Sequence, residues 1–142
     1  MTRNKFTLIL LAVVIIVTAI TALVCTVSAD EPDGSTPEKI TAFISGCGYT
    51  VSSPVTKQIT IPDTFSEVYE NYNSLQKEQG FDLSRHKGKS AVSYTFGVIG
   101  YKDQNGNTDP DVQIHIIVCD GKIVAADIAS TRLDGFMEAV RK

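Results

Sequence analysis

No tryptophan occurs in the sequence, and aromatic residues make up only 8% of it. A carbohydrate-binding platform relies on exposed rings, so this scarcity argues against one. A surplus of basic charge is missing as well. The formal net charge is −3 and the pI is near 5.3, whereas a nucleic-acid surface needs a basic stripe to neutralise phosphates. No nucleic-acid partner is expected. There is no internal repeat and no low-complexity segment. No group of residues has the spacing of a metal site or a catalytic triad, so neither cofactor nor metal is expected.

What is present divides into two unlike parts. Residues 6–29 read FTLILLAVVIIVTAITALVCTVSA and carry no charge, while residues 30–142 hold all the acids and most of the bases. Twenty-odd helical residues at about 1.5 Å each span a hydrocarbon core roughly 30 Å thick. A helix packed in an aqueous core would show a polar face, and this one shows only scattered Thr, whose hydroxyl returns its hydrogen bond one turn back. Arg3 and Lys5 precede the run, and Asp30, Glu31 and Asp33 follow it. The positive-inside rule then puts the N-terminus in the cytoplasm and the domain outside a single-pass helix.

Two fates of that helix stay open. Val27-Ser28-Ala29 suits a signal peptidase, and cleavage after Ala29 gives a secreted domain. The apolar run exceeds the roughly 7–15 residues usual for a cleaved signal, which favours an uncleaved anchor. Lipidation at Cys25 is disfavoured because Val24 before it is bulkier than a lipobox accepts.

The remainder is one domain. Residues 1–29 are the cytoplasmic stub and anchor, 30–36 a polar linker with Pro and Gly, and 37–142 the extracytoplasmic domain. Ser35-Thr36-Pro37-Glu38 has the form of a capped helix start, with Ile40, Phe43 and Ile44 on one face and Gly46 or Gly48 at the close. Residues 49–61 are expected to be extended, with Pro54 suggesting an edge. Residues 63–79 form the second helix, with Phe65, Val68, Tyr69, Tyr72 and Leu75 as an apolar stripe. Tyr69 and Tyr72 on that stripe either line a pocket or pack in the core with hydroxyls at the rim.

Strands follow around Val92–Val98, Val112–Val118 and Lys122–Ser130, and residues 133–142 close the chain as a short helix or tail. The order α-β-α-β-β-β predicts a two-layer α+β fold, with a mainly antiparallel sheet and both helices on one face. At Cys119-Asp120-Gly121 a three-residue turn with a Gly bulge pairs Ile116 with Val124 and Ile114 with Ala126, keeping Asp127 away from the isoleucines. Gln113, His115, Ile117, Ile123, Ala125 and Asp127 then share the face away from the core.

In that register His115 lies diagonal to Asp127. A His beside a carboxylate can serve as a base, so His115 and Asp127 are the catalytic candidates, although no nucleophile is fixed nearby. A solvated cross-strand polar cluster is the plainer reading. His86 lies in a basic turn, Arg85-His86-Lys87-Gly88-Lys89, suited to anionic head groups or envelope polymers, or simply a solvated loop. Cys47 and Cys119 both fall outside the membrane, where a bridge between them is possible, as are two separate thiols. Asp103, Asn105, Asn107 and Asp109 alternate as in a calcium loop, but Ile114 stands where the closing bidentate Glu belongs. A loop of turn formers is the default there.

The stretch Ile61-Pro62-Asp63-Thr64-Phe65-Ser66-Glu67-Val68-Tyr69-Glu70-Asn71-Tyr72-Asn73, continuing through Leu75-Gln76-Lys77-Glu78-Gln79-Gly80-Phe81-Asp82-Leu83, resembles a bacterial family, domain of unknown function 4830. Asp120-Gly121-Lys122, Ser130-Thr131 and Leu133-Asp134-Gly135-Phe136-Met137 extend the resemblance over most of residues 38–137. One departure is Gly48-Tyr49, where the resemblance leads one to expect Gly-Trp. The resemblance implies an N-terminal membrane helix or signal and no established activity. It places Asp127 and the 133–137 ending in the recognised pattern. Asp127, Asp134, Tyr69 and Tyr72 are thus the binding candidates. The expected function is a membrane-tethered binding or regulatory module touching an envelope protein or polymer. The alternatives are a small envelope enzyme using His115 and Asp127, and a structural spacer.

Overall fold

A computed structural model describes residues 30–141. The anchor expected at residues 6–29, the cleavage point after Ala29 and Cys25 lie outside the described residues. Among those described, no helix is long and apolar enough to cross a membrane.

Helix α1 (Pro37–Gly46) starts at Thr36, whose hydroxyl accepts from the Lys39 amide, one residue later than the Ser35 cap expected. Pro37 fits the first turn because its missing N–H would be unpaired there. Strand β1 (Val55–Thr60) begins just after Pro54 and is an edge strand. Helix α2 (Glu67–Glu78) is capped by Ser66, and Asp63 and Thr64 precede it as loop. After a short 3-10 turn (Leu83–His86) come β2 (Ser90–Gly97), β3 (Val112–Cys119) and β4 (Lys122–Ser130). The chain ends in β5 (Met137–Ala139). All neighbours pair antiparallel in the order β1-β2-β3-β4-β5, so the α+β class and the antiparallel sheet hold.

Three expectations change. The terminal segment is a strand, not a helix or tail. Its amides pair with the open edge of β4, and Val140 is buried while Phe136 stacks on Tyr101. The helices also do not share a face. Ile40 and Ile44 of α1 pack with Ile114, Ile116 and Ile128, whereas Tyr69 and Tyr72 of α2 pack with Ile117 and Ala125. Side chains alternate across a strand, so these clusters lie on opposite faces of the sheet. Ile117 and Ala125 supply enough apolar surface for a second core where a wetter face was expected.

The third change is the register. Asp120 and Gly121 both have positive φ, 50° and 73°, and Cys119 pairs with Lys122, which defines a two-residue type I′ turn. Val124 is then an extra residue, because Val118 pairs with Ile123 but Ile117 with Ala125. This bulge moves the register one step beyond the two-residue turn and two beyond the three-residue turn, and sets His115 directly opposite Asp127. Ile123 falls in the α1-side cluster and is fully buried.

The open edge of β4 is closed in three successive ways. At its start the Pro32 carbonyl accepts from Ile123 N and Gly34 N donates to the Gly121 carbonyl. Gly34 is buried there, and a Cβ on it would stand 2.9 Å from Ile123 Cγ1, so only Gly lies this close. In the middle, side chains of α2 take over, and β5 covers the far half.

Candidate functional site

The side chains that meet at mid-sheet come from three elements. The bulge in β4 aims Asp127 at the α2 face, β3 presents His115 beside it, and α2 lays Tyr72 over both. Asp127 is only 1% exposed. Its Oδ1 accepts from the Tyr72 hydroxyl at 2.7 Å and its Oδ2 from His115 Nδ1 at 2.8 Å. A buried carboxylate is tolerable only with such partners, and here both oxygens are satisfied. Burial, reinforced by the Asp127 charge, pushes the Tyr72 phenol far above its ordinary range, so it stays a donor. The hydrogen bond to Asp127 raises the His115 pKa above 6.5, outweighing the opposite effect of burial.

This arrangement holds the His115 ring with Nδ1–H on the carboxylate and Nε2 turned away from it, the orientation a general base uses. Yet no hydroxyl or thiol is hydrogen-bonded to His115 among the described residues. Thr95 is its cross-strand neighbour on β2, but nothing orients that hydroxyl as a nucleophile.

Beside it lies a groove. Val68, Tyr69, Asn71, Tyr72 and Leu75 of α2 and Met137 of β5 line a concavity of about 480 Å³. Val68 is 78% exposed and Met137 52%. Phe65, Tyr69 and Tyr72 continue the apolar surface as a run of tilted and edge-on rings, with centroids 4.7 Å and 6.1 Å apart. Tyr72 belongs to both features, with its ring in the groove and its hydroxyl on Asp127. His115 is not among the groove's lining residues. Of the binding candidates, Tyr69, Tyr72 and Asp127 come together. Asp134 does not. It is exposed and lines a separate, polar concavity with Arg132, Asp103 and Asp109.

The model for the family described as Domain of unknown function (DUF4830) matches residues 43–128, well over half of the chain. The chain belongs to this family. No curated protein and no solved structure matches the chain. The matched stretch runs from α1 to β4 and so contains Tyr69, Tyr72, His115 and Asp127. It ends before β5, which leaves Met137 and Asp134 outside the family match.

The residues that sequence reasoning missed are amides. The most deeply buried side chains of α2 and its C-cap are Asn73, Gln76 and Gln79, while the apolar stripe is half-buried or exposed. Gln76 Oε1 accepts from Ala126 N at 2.8 Å, and Gln79 Nε2 donates to the Ala126 carbonyl at 2.6 Å. Gln79 Oε1 accepts from Val140 N and Arg141 N, while Asn73 Oδ1 accepts from Leu83 N. The signal was available as three neutral amides at i, i+3 and i+6 with no charge among them. These amides and the inner sides of Phe65, Tyr69 and Tyr72 together dock the helix, and the outer side of the stripe, with Val68, lines the groove.

The other candidates are dispersed. Cys47 and Cys119 are free thiols, one in each cluster on opposite faces of the sheet, so the candidate bridge does not form. Asp103 Oδ1 accepts from the amides of Asn105 and Asn107, which uses that carboxylate within its own turn. Ile114, at the position of the missing calcium ligand, is fully buried. His86 is also buried, with Nε2 2.7 Å from Glu31 Oε1.

Proposed function

We propose that this protein is a membrane-tethered extracytoplasmic binding or regulatory module whose partner occupies the α2–β5 groove. The observation that carries the binding reading is the groove. The helix turns its amides inward and leaves Val68 exposed beside Met137, with Tyr69, Tyr72 and Leu75 half-buried as the groove's walls and base. Contiguous apolar surface of this kind marks interaction sites more often than it decorates an inert domain. The tether rests on the uncharged run at 6–29 with Arg3 and Lys5 before it and acids after it.

A partner that lays an apolar side chain between Val68 and Met137 would meet Tyr72 at the base of the groove. The Tyr72 hydroxyl is already held by Asp127, so the ring is preorganised and loses little freedom on binding. The partner class that fits is an envelope protein presenting an apolar segment. Crosslinking in the native membrane followed by mass spectrometry tests this. The expected result is a reproducible adduct mapping to residues 65–75 or to Met137, and recovery of no reproducible partner contradicts it.

A small envelope enzyme using His115 and Asp127 is the second reading, favoured by the 2.8 Å contact between them. It predicts loss of function in a His115→Gln chain that remains folded, a result the groove reading does not expect.

A further inference from the structure

The end of the sheet where the described chain begins differs in charge from the opposite end. Residues 31–34 are fastened to it by the Glu31–His86 contact at 2.7 Å and by the pairings of Pro32 with Ile123 and Gly34 with Gly121. Only Asp30 separates this clamp from the apolar run that ends at residue 29. A free seven-residue linker could extend roughly 23 Å, whereas the clamp leaves about one residue, or roughly 3.5 Å, of slack.

We propose that this end of the domain rests on the bilayer, with Arg85, Lys87 and Lys122 on anionic lipid headgroups, an inference that rests on the tethered reading above. Most acids nearby are already matched. Asp33 meets Lys39 at 2.6 Å, Asp120 meets Lys89 at 3.0 Å, and Glu31 meets His86. Asp63, against Gly88, and Asp30, at the point of entry, are the acids there with no ion pair among the described residues, two against the three free cations. Arg85, Lys87 and Lys122 are exposed, and none pairs with a carboxylate among the described residues. Lys87 Nζ instead lies 4.4 Å from the centre of the Phe65 ring.

The far end is acidic. Asp103, Asp109, Asp134 and Glu138 gather there around Arg132. Charge is therefore polarised along the strands, and an anionic surface attracts the basic end while repelling the other. Each free cation near such a surface favours contact roughly fivefold. The short clamp holds those cations within reach, so little further ordering is required.

The test uses the full chain in lipid nanodiscs of phosphatidylcholine alone or mixed with phosphatidylglycerol, with a paramagnetic headgroup label and amide relaxation as the readout. In the anionic discs, relaxation enhancement at residues 84–89 and 120–122 is expected to exceed that at residues 103–109 several-fold. The contrast should shrink in phosphatidylcholine, at high salt and in the R85Q/K87Q/K122Q chain. Equal enhancement at both ends, or a contrast indifferent to lipid charge and to the three substitutions, overturns the proposal. A chain that does not enter either disc contradicts the tethered reading itself, which separates the two failures.

Discussion

Asp127 is the residue on which the interior of the domain is most dependent. Its carboxylate is almost wholly buried and holds Tyr72 and His115 at once. Truncation leaves a phenol and an imidazole facing a hole, so Asp127→Ala is expected to cost about 3 kcal/mol. Asp127→Asn should cost less, because a neutral acceptor remains. Global amide-exchange protection of β3 and β4 measures both. His115 gives a pH signature whose sign follows from its raised pKa. A group with a raised folded pKa contributes stability below its ordinary value, near 6.5, and that contribution fades as pH rises through the folded value. The stability difference between the natural chain and His115→Gln should thus be largest below pH 6.5 and shrink above it, checked by the same exchange measurement across a pH series. The nearness of His115 to Asp127 on one face was legible in the sequence, but their directly opposed pairing and the Tyr72 contact were not. Which residues faced each other depended on a single extra residue, Val124, and a one-residue slip turns every side chain over.

At the scale of elements, α2 is held by side-chain amides as well as by the apolar stripe that holds most helices. Gln79 alone joins Ala126 in β4 to Val140 and Arg141 beyond β5. Replacing it with Ala leaves backbone groups unpaired on β4 and in the segment after β5. Gln79→Ala should therefore destabilise by about 2–3 kcal/mol and expose the Val140 amide first, which residue-resolved hydrogen exchange would show. The helices and central strands could be read from periodicity and caps, since Ile40/Ile44 and Ile114/Ile116 alternate as their elements require. The last strand could not. Phe136, Met137 and Val140 have helical spacing, and only the vacant edge of β4 makes them extended. The stretch at 31–34 reads as linker composition, yet backbone hydrogen bonds to the hairpin fix it. Neither partner of such a pairing announces itself in its own sequence.

For the whole molecule, the account places structure and binding on adjoining surfaces. The relay of Tyr72, Asp127 and His115 holds the sheet face, and the groove of Val68, Leu75 and Met137 is the surface proposed to meet a partner. The family match covers the relay and most of the groove but stops before β5. Binding through the groove is the central claim, and a photoactivatable residue at Met137 in the full chain, activated in native membranes, tests it most directly. The adduct formed there should disappear in V68D/L75D, whose core amides keep their exchange protection because both positions line the surface, and should persist in His115→Gln. An adduct that survives V68D/L75D, or one that vanishes in folded His115→Gln, would contradict the account.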